Sequence, residues 1–309
     1  MSATAVEAQA LTKSYGRSRA RGIVDVDLTL AAGQVLGLVG ANGAGKTTLM
    51  RTLLDFIRPT SGSVRVLGLD SRADSVAVRR RTTYLPGELA FPARLRVRDV
   101  ADRYLSERRD LEPQRIRQLA AELDLDLDRP VGDLSKGNRQ KLGLLLAFAP
   151  RADLLILDEP TSGLDPLLQR RFAGLVADAA DRGAAVLLSS HVMAEVEEVA
   201  RTVALMRDGK VVTVDSLDAI LAQGVRRGQA RPRDAADATG LEAALRATAG
   251  LREVTLDAGT DGHPVLRFAL AGEVNPMLAV LARYPLDGFD LGHADLEDAF
   301  FSSVDRAPS

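Results

Sequence analysis

The hydrophobic positions along the chain follow two different spacings. Short unbroken apolar runs, "VLGLVG" (35–40), "LLILD" (154–158) and "AAVLLSS" (184–190), stop at glycine, acid or hydroxyl residues. Runs of that length predict strands buried on both faces. "SVRVLGL" (63–69) and "TTYLP" (82–86) predict two more strands, and "VALMRDGKVVTV" (203–214) predicts a hairpin turning at Asp208-Gly209. Between these runs the apolar residues fall three and four apart. That spacing predicts a helix from Lys46 to about Phe56 and a helical stretch from about Arg98 to Pro150, clearest in "QRIRQLAAELDL". Strands alternating with helices make a layered α/β domain the expected fold class.

The pattern weakens near residue 224. "GVRRGQARPRDAADATG" is rich in glycine, proline and charge, and predicts a linker or a weak edge strand. Apolar runs resume in "LREVTLD", "PVLRFAL" and "VNPMLAVLARYP", so a small second α+β domain is expected over 216–309, after a first domain over 1–215. With 309 residues and 46% hydrophobic content the chain is long enough for both cores. A net charge of -2 disfavours a nucleic-acid partner. The absence of cysteine removes disulfides and thiolate metal sites. Apolar runs stay well short of the ~20 residues a membrane helix needs, and "MSATAVEAQALTKSYG" lacks the pattern of a secretory leader. A cytoplasmic location is expected.

The sharpest chemical signal is "GANGAGKTT" (40–48), which fits G-x-x-x-x-G-K-[ST] through Gly40, Gly45, Lys46 and Thr47. A strand precedes it and a helix follows, the context this loop requires. Its backbone, from Gly40 through Ala41, Asn42, Gly43 and Ala44 to Thr48, can turn N–H groups onto phosphate oxygens, aided by the helix N-terminus. Lys46 can reach the β and γ phosphates, and the Thr47 hydroxyl can ligate Mg²⁺.

"LLILDEP" ends a buried strand in two acids. A carboxylate there is costly without a partner, and Mg²⁺ would supply one for Asp158. Glu159 is placed to take a proton from an attacking water. A helix N-cap is the competing structural explanation for these acids. His191 closes "AAVLLSS", and ligands of open α/β sheets collect at such strand ends. His263 and His293 carry no comparable context.

Taken together, these motifs resemble the ATP-binding cassette (ABC) ATPases over about residues 6–215. "LSKGN" (134–138) resembles that family's signature loop, "DEPTSGLDP" its strand-end acids and D-loop with Asp165, and "SSH" its histidine loop. Tyr15 stands where an aromatic residue commonly stacks on adenine. The resemblance implies a P-loop NTPase core with a mixed sheet and a helical subdomain inserted at about 98–150. It implies ATP and Mg²⁺ as ligands, and a head-to-tail dimer with a second copy. In that dimer Ser135, Gly137 and Asn138 would bind the triphosphate held by the partner, although Ser135 could equally serve as a plain helix cap. One departure concerns Gly87, which stands where the family often has glutamine; Glu88 next to it is a candidate replacement near the metal.

The resemblance further implies a transporter ATPase, peripheral on the inner face of the membrane and driving a separate permease. "YLPGEL" (84–89) and "LEDAFF" (296–301) are similar to exporter subunits of the drug-resistance type, so export is expected. A soluble ABC ATPase acting on ribosomes or DNA is the alternative; it is disfavoured by the single cassette, the lack of sustained heptads and the charge.

Overall fold

A computed structural model of the chain describes residues 3–16, 20–106, 113–223, 225–259 and 262–292. The chain divides into two compact units, Met1–Ser216 and Leu217–Ser309.

The first unit contains β1 (Thr4–Tyr15), β2 (Ala20–Ala31), β3 (Val35–Val39), α1 (Lys46–Leu53), β4 (Ser61–Val66), β5 (Leu69–Asp70), α2 (Ser75–Arg81) and β6 (Thr82–Leu85). There follow α3 (Val97–Leu105), α4 (Pro113–Glu122), α5 (Lys136–Phe148), β7 (Leu154–Asp158), α6 (Pro166–Asp181), β8 (Ala185–Ser190), α7 (Met193–Val199), β9 (Thr202–Arg207) and β10 (Lys210–Ser216). Six strands form a mixed sheet in the order β10-β9-β3-β8-β7-β6, parallel except for β10. The unbroken apolar runs fill its centre: every residue of β7 and β8 is buried. Parallel pairing brings neighbouring carboxyl ends together, with Val39 opposite Ser190 and Asp158 opposite Ser189. The loops leaving β3, β7 and β8 therefore open side by side. A second, antiparallel sheet, β2-β1-β4-β5, faces the same core. Leu49, Met50 and Leu53 of α1 pack in it with Val6, Leu11, Ile23, Ile156 and Leu187.

Several sequence expectations shift in detail. Helix α1 stops at Leu53, because Leu54 and left-handed Asp55 (φ 54) turn the chain away. The strand expected over 63–69 is a tight hairpin: Leu67 and Gly68 both have positive φ (53 and 78), the signature of a two-residue turn between β4 and β5. The helical stretch resolves into α3, α4 and α5, with an irregular segment ahead of Ser135.

The second unit contains α8 (Leu217–Gln223), β11 (Val225–Pro232), α9 (Ala238–Arg246), β12 (Leu251–Ala258), β13 (Pro264–Ala271), α10 (Asn275–Leu281) and β14 (Leu286–Leu291). Its antiparallel sheet runs β12-β13-β11-β14, so the order of elements from β11 onward is β-α-β-β-α-β. Leu241 and Leu245 of α9 and Met277 and Leu281 of α10 bury against Leu266, Phe268 and Leu270. The segment expected as a linker or weak edge is corrected here: β11 is an inner strand, paired with β13 on one side and β14 on the other. Its polar look has a simple cause. Ala230 is fully buried while the arginine and glutamine positions beside it face outward, and Pro232 sits at the strand's end, where proline is tolerated. His293 and "LEDAFF" lie outside the described residues.

Candidate nucleotide site

Strand β3 runs directly into the loop 40–45, and α1 begins at Lys46. Two glycines are dictated by space. A Cβ on Gly40 would lie 2.2 Å from the Met206 carbonyl oxygen. Gly45 adopts φ 105, and a Cβ there would come within 2.9 Å of both the Gly22 carbonyl oxygen and the Met206 methyl carbon. The loop therefore packs tightly on β9 while turning sharply. Helix α1 starts without a side-chain cap and without an acid in its first turn. Its leading N–H groups, which have no intrahelical acceptors, remain available to an anion.

Lys46 is 6% exposed. Its Nζ donates to the carbonyl oxygens of Gly40 (2.6 Å) and Ala41 (3.3 Å), and lies 3.7 Å from Glu159 Oε1. Burial pulls the Lys46 pKa below its ordinary value, against the opposing pull of Glu159 and Asp158. Triphosphate oxygens would relieve that desolvation by supplying negative charge where the ammonium now has carbonyl dipoles.

At the tip of β7, buried Asp158 accepts a hydrogen bond from Ser189 Oγ at 2.7 Å. Glu159 sits in the left-handed region at φ 49, and its N–H donates to the Ser189 carbonyl (3.2 Å) and Oγ (3.1 Å). Its carboxylate spans two partners, with Oε1 toward Lys46 and Oε2 2.6 Å from His191 Nδ1. The result is a contiguous row of ammonium, carboxylate and imidazole.

A cavity of about 610 Å³ is lined by Asn42 through Thr48 on one side and by Glu88, Asp158, Glu159 and His191 on the other. Arg51, Gly87 and Ser162 complete it. Arg51 follows Thr47 by four residues and so shares its helix face, a signal the sequence already held. Ser189 and Ser162 had no such signal.

Other expected site residues stand outside this lining. Tyr15 is 40% exposed at the end of β1, with Lys13 Nζ 5.4 Å from its ring centre. Ser135 caps α5, its Oγ accepting from Asn138 N–H at 3.2 Å. Gly137 packs where a Cβ would be 3.1 Å from the Gly163 carbonyl oxygen, and Lys136 Nζ donates to Ser162 Oγ at 3.3 Å. Asp165 caps α6 by accepting from Leu168 N–H at 3.0 Å. Within one copy, then, the 135–138 turn abuts the 160–165 loop and leaves the cavity open.

Among the described residues no three histidine or acidic side chains gather as a self-sufficient metal cage. Thr47 and Asp158 offer one hydroxyl and one carboxylate. That sparse donor set fits Mg²⁺, which binds through one or two protein oxygens together with water and substrate phosphates.

A glycine-tight phosphate loop at the carboxyl end of a parallel sheet, facing two strand-end acids, defines a P-loop nucleoside triphosphatase. The comparisons narrow that class. A family profile described as "ABC transporter" matches residues 23–162. The ABC transporter ATP-binding protein YhaQ of Bacillus subtilis is 35% identical over 219 residues, covering 68% of this chain and 70% of its own. The daunorubicin/doxorubicin resistance ATP-binding protein DrrA of Streptomyces peucetius is 31% identical over 325 residues, covering 96% and 92%. A solved ATP-binding subunit of an ABC transporter superposes with a TM-score of 0.66 at 26% identity, covering 71% of this chain and 93% of that one. A bacterial ABC transporter cassette solved as a dimer shares the fold at a TM-score of 0.63 and 18% identity, covering 69% and 98%. The chain belongs to the ABC transporter ATP-binding proteins and is an ATPase.

Proposed function

We propose that the chain hydrolyses ATP with Mg²⁺ as one half of a head-to-tail dimer and drives a separate membrane permease, most simply in export. The observation that carries this reading is the row Lys46–Glu159–His191, which joins the phosphate loop to the strand-end acid and histidine. Lys46 is held by loop carbonyls and can turn to the β and γ phosphates. The N–H groups at the start of α1 stabilise the charge that grows on the phosphoryl oxygens. Glu159 accepts the proton of the attacking water, and His191 fixes the carboxylate's orientation. Thr47 and Asp158 would hold Mg²⁺, which supplies charge neutralisation between the phosphates. Glu88, on the cavity wall, is the candidate to orient metal or water in place of a glutamine.

The open cavity supports a second copy as the missing wall. Ser135, Gly137 and Asn138 lead a thirteen-residue helix and do not reach their own chain's cavity, so another chain's triphosphate is the fitting ligand. Tyr15 would stack on the base and Asp165 would act at the dimer seam. A separate groove of about 1410 Å³ runs from Leu85 and Pro86 past Phe91 and Tyr104 to Leu146, with Arg79, Arg80 and Arg103 on its rim. It suits an amphipathic helical segment of a permease. Among the described residues no helix is long and apolar enough to cross a membrane; we assign the permease to another polypeptide, with this chain against its cytoplasmic face. Full-length similarity to an ATP-binding protein named for drug resistance supports export.

The test is Glu159→Gln. ATP binding should persist while turnover falls by ~10²–10⁴-fold, the usual share of general-base assistance. Undiminished turnover would remove Glu159 from this role.

A further inference from the structure

Away from the nucleotide cavity, one carboxylate gathers hydrogen bonds from three separate elements. Glu195 lies in the first turn of α7 and is half-buried. Its Oε2 accepts from Thr161 Oγ1 at 2.5 Å and from Ser190 Oγ at 2.7 Å, and its Oε1 accepts from Gln169 Nε2 at 3.1 Å. Thr161 stands two residues beyond Glu159, Ser190 immediately precedes His191, and Gln169 lies on α6. Thr161 and Ser190 are 4% and 1% exposed, so both hydroxyls are committed to this network rather than to water.

The directions of these bonds matter. Ser190 Oγ accepts from Val192 N–H at 3.0 Å while it donates to Glu195. The residues on either side of His191 are thereby tied to one hydroxyl, and that hydroxyl is tied to Glu195. On the other loop, Thr161 follows Pro160, whose carbonyl oxygen accepts from Gln140 Nε2 at 2.6 Å. The Glu159–His191 contact of 2.6 Å bridges the same two loops. An ionised acceptor makes stronger hydrogen bonds than a neutral one, so three donors on one carboxylate form a stiff clamp.

We infer that Glu195 is a positioning residue for hydrolysis: it locks the loop after Glu159 to the loop carrying His191 and so sets the geometry of that pair. The inference rests on Glu159 and His191 acting as proposed above. Glu195 does not line the cavity and touches no reacting group.

The experiment compares Glu195→Ala and Glu195→Gln with Glu159→Gln in the full chain. Glu195→Ala should lower kcat about ten- to a hundredfold, the cost of misplacing a catalytic group by roughly an ångström, with the KM for ATP unchanged. Glu195→Gln should recover most of the rate, because its carbonyl accepts both hydroxyls and Gln169 can rotate to accept the new amide. The chain has three histidines, so the His191 ring signal in NMR is assignable with His191→Ala. That signal should move in Glu195→Ala and return in Glu195→Gln. Thr161→Val gives a milder cut at the same clamp and should move the signal the same way. Wild-type turnover in Glu195→Ala overturns the inference, and so does a loss of melting temperature with the His191 signal unmoved. Should Glu159→Gln itself keep full turnover, the site reading fails whatever Glu195 does.

Discussion

Glu159 carries both the proposed chemistry and a local conformational cost. Most other residues in the left-handed region are explained by turns, as with Leu67 and Asp208 at their hairpins. Glu159 instead follows directly on a buried strand, and it is held by its N–H bonding both acceptors of Ser189. A non-glycine residue there costs about 1–2 kcal/mol, and such strain persists where surrounding contacts over-determine it. Comparing Glu159→Gly with Glu159→Ala isolates the backbone term, since both remove the charge and the side-chain contacts. The glycine variant should be the more stable to urea by about 1 kcal/mol, with both lacking normal ATPase turnover. Equal stability of the two would mean that the φ of 49 stores nothing. Lys46, Thr47, Asp158, Glu159 and His191 were legible in the sequence as cavity candidates because each stands at or just beyond the end of an apolar strand, β3, β7 or β8. Ser189 was not. Its bond to Asp158 depends on which strand lies beside β7 and in what register, and local pattern does not reveal that.

At the scale of elements, the sheet's carboxyl edge is what assembles the site, and α7 has to lie close on it. Gly37 in the middle of β3 makes this possible: a Cβ there would stand 2.1 Å from Val196 Cγ1. Gly37→Ala should therefore cost about 1–3 kcal/mol through overpacking, read as a lower urea midpoint. Val196→Ala in the same chain should restore much of the loss by removing the clashing methyl. Failure of the second change to rescue the first would place the strain elsewhere. The central strands could be read from apolar runs because burial on both faces leaves no alternation to misread, and the phosphate-loop helix from its three- and four-residue spacing. The β1–β2 hairpin was not predicted. Register shifts along β1, including one between Ala8 and Leu11 around left-handed Ala10 (φ 46), break the period of two that would have marked it. Strand β11 was read as a linker or weak edge strand because its outward positions carry arginine and glutamine and its end is a proline.

For the whole molecule, the described residues belong to one copy, and the shared nucleotide site is proposed from what that copy's cavity includes and leaves out. The phosphate loop, acids and histidine share one cavity, while Ser135 caps its own helix and is absent from the cavity lining. The family resemblance was legible from five ordered motifs. The separation of Ser135 from its own cavity needed three-dimensional placement, since sequence distance alone does not say whether two segments meet. A closed two-fold dimer reconciles the two halves: each chain's Ser135 turn would complete the other's site.

The decisive measurement mixes two inactive variants. Lys46→Ala and Ser135→Ala chains carry different tags, and dimers holding one of each are isolated with ATP. If the site is shared between copies, the mixed dimer has one site with both faults and one with neither, and it should hydrolyse ATP at about half the wild-type rate per dimer. If each copy completes its own site, mixed dimers will be as inactive as either parent, and the shared-site account is wrong.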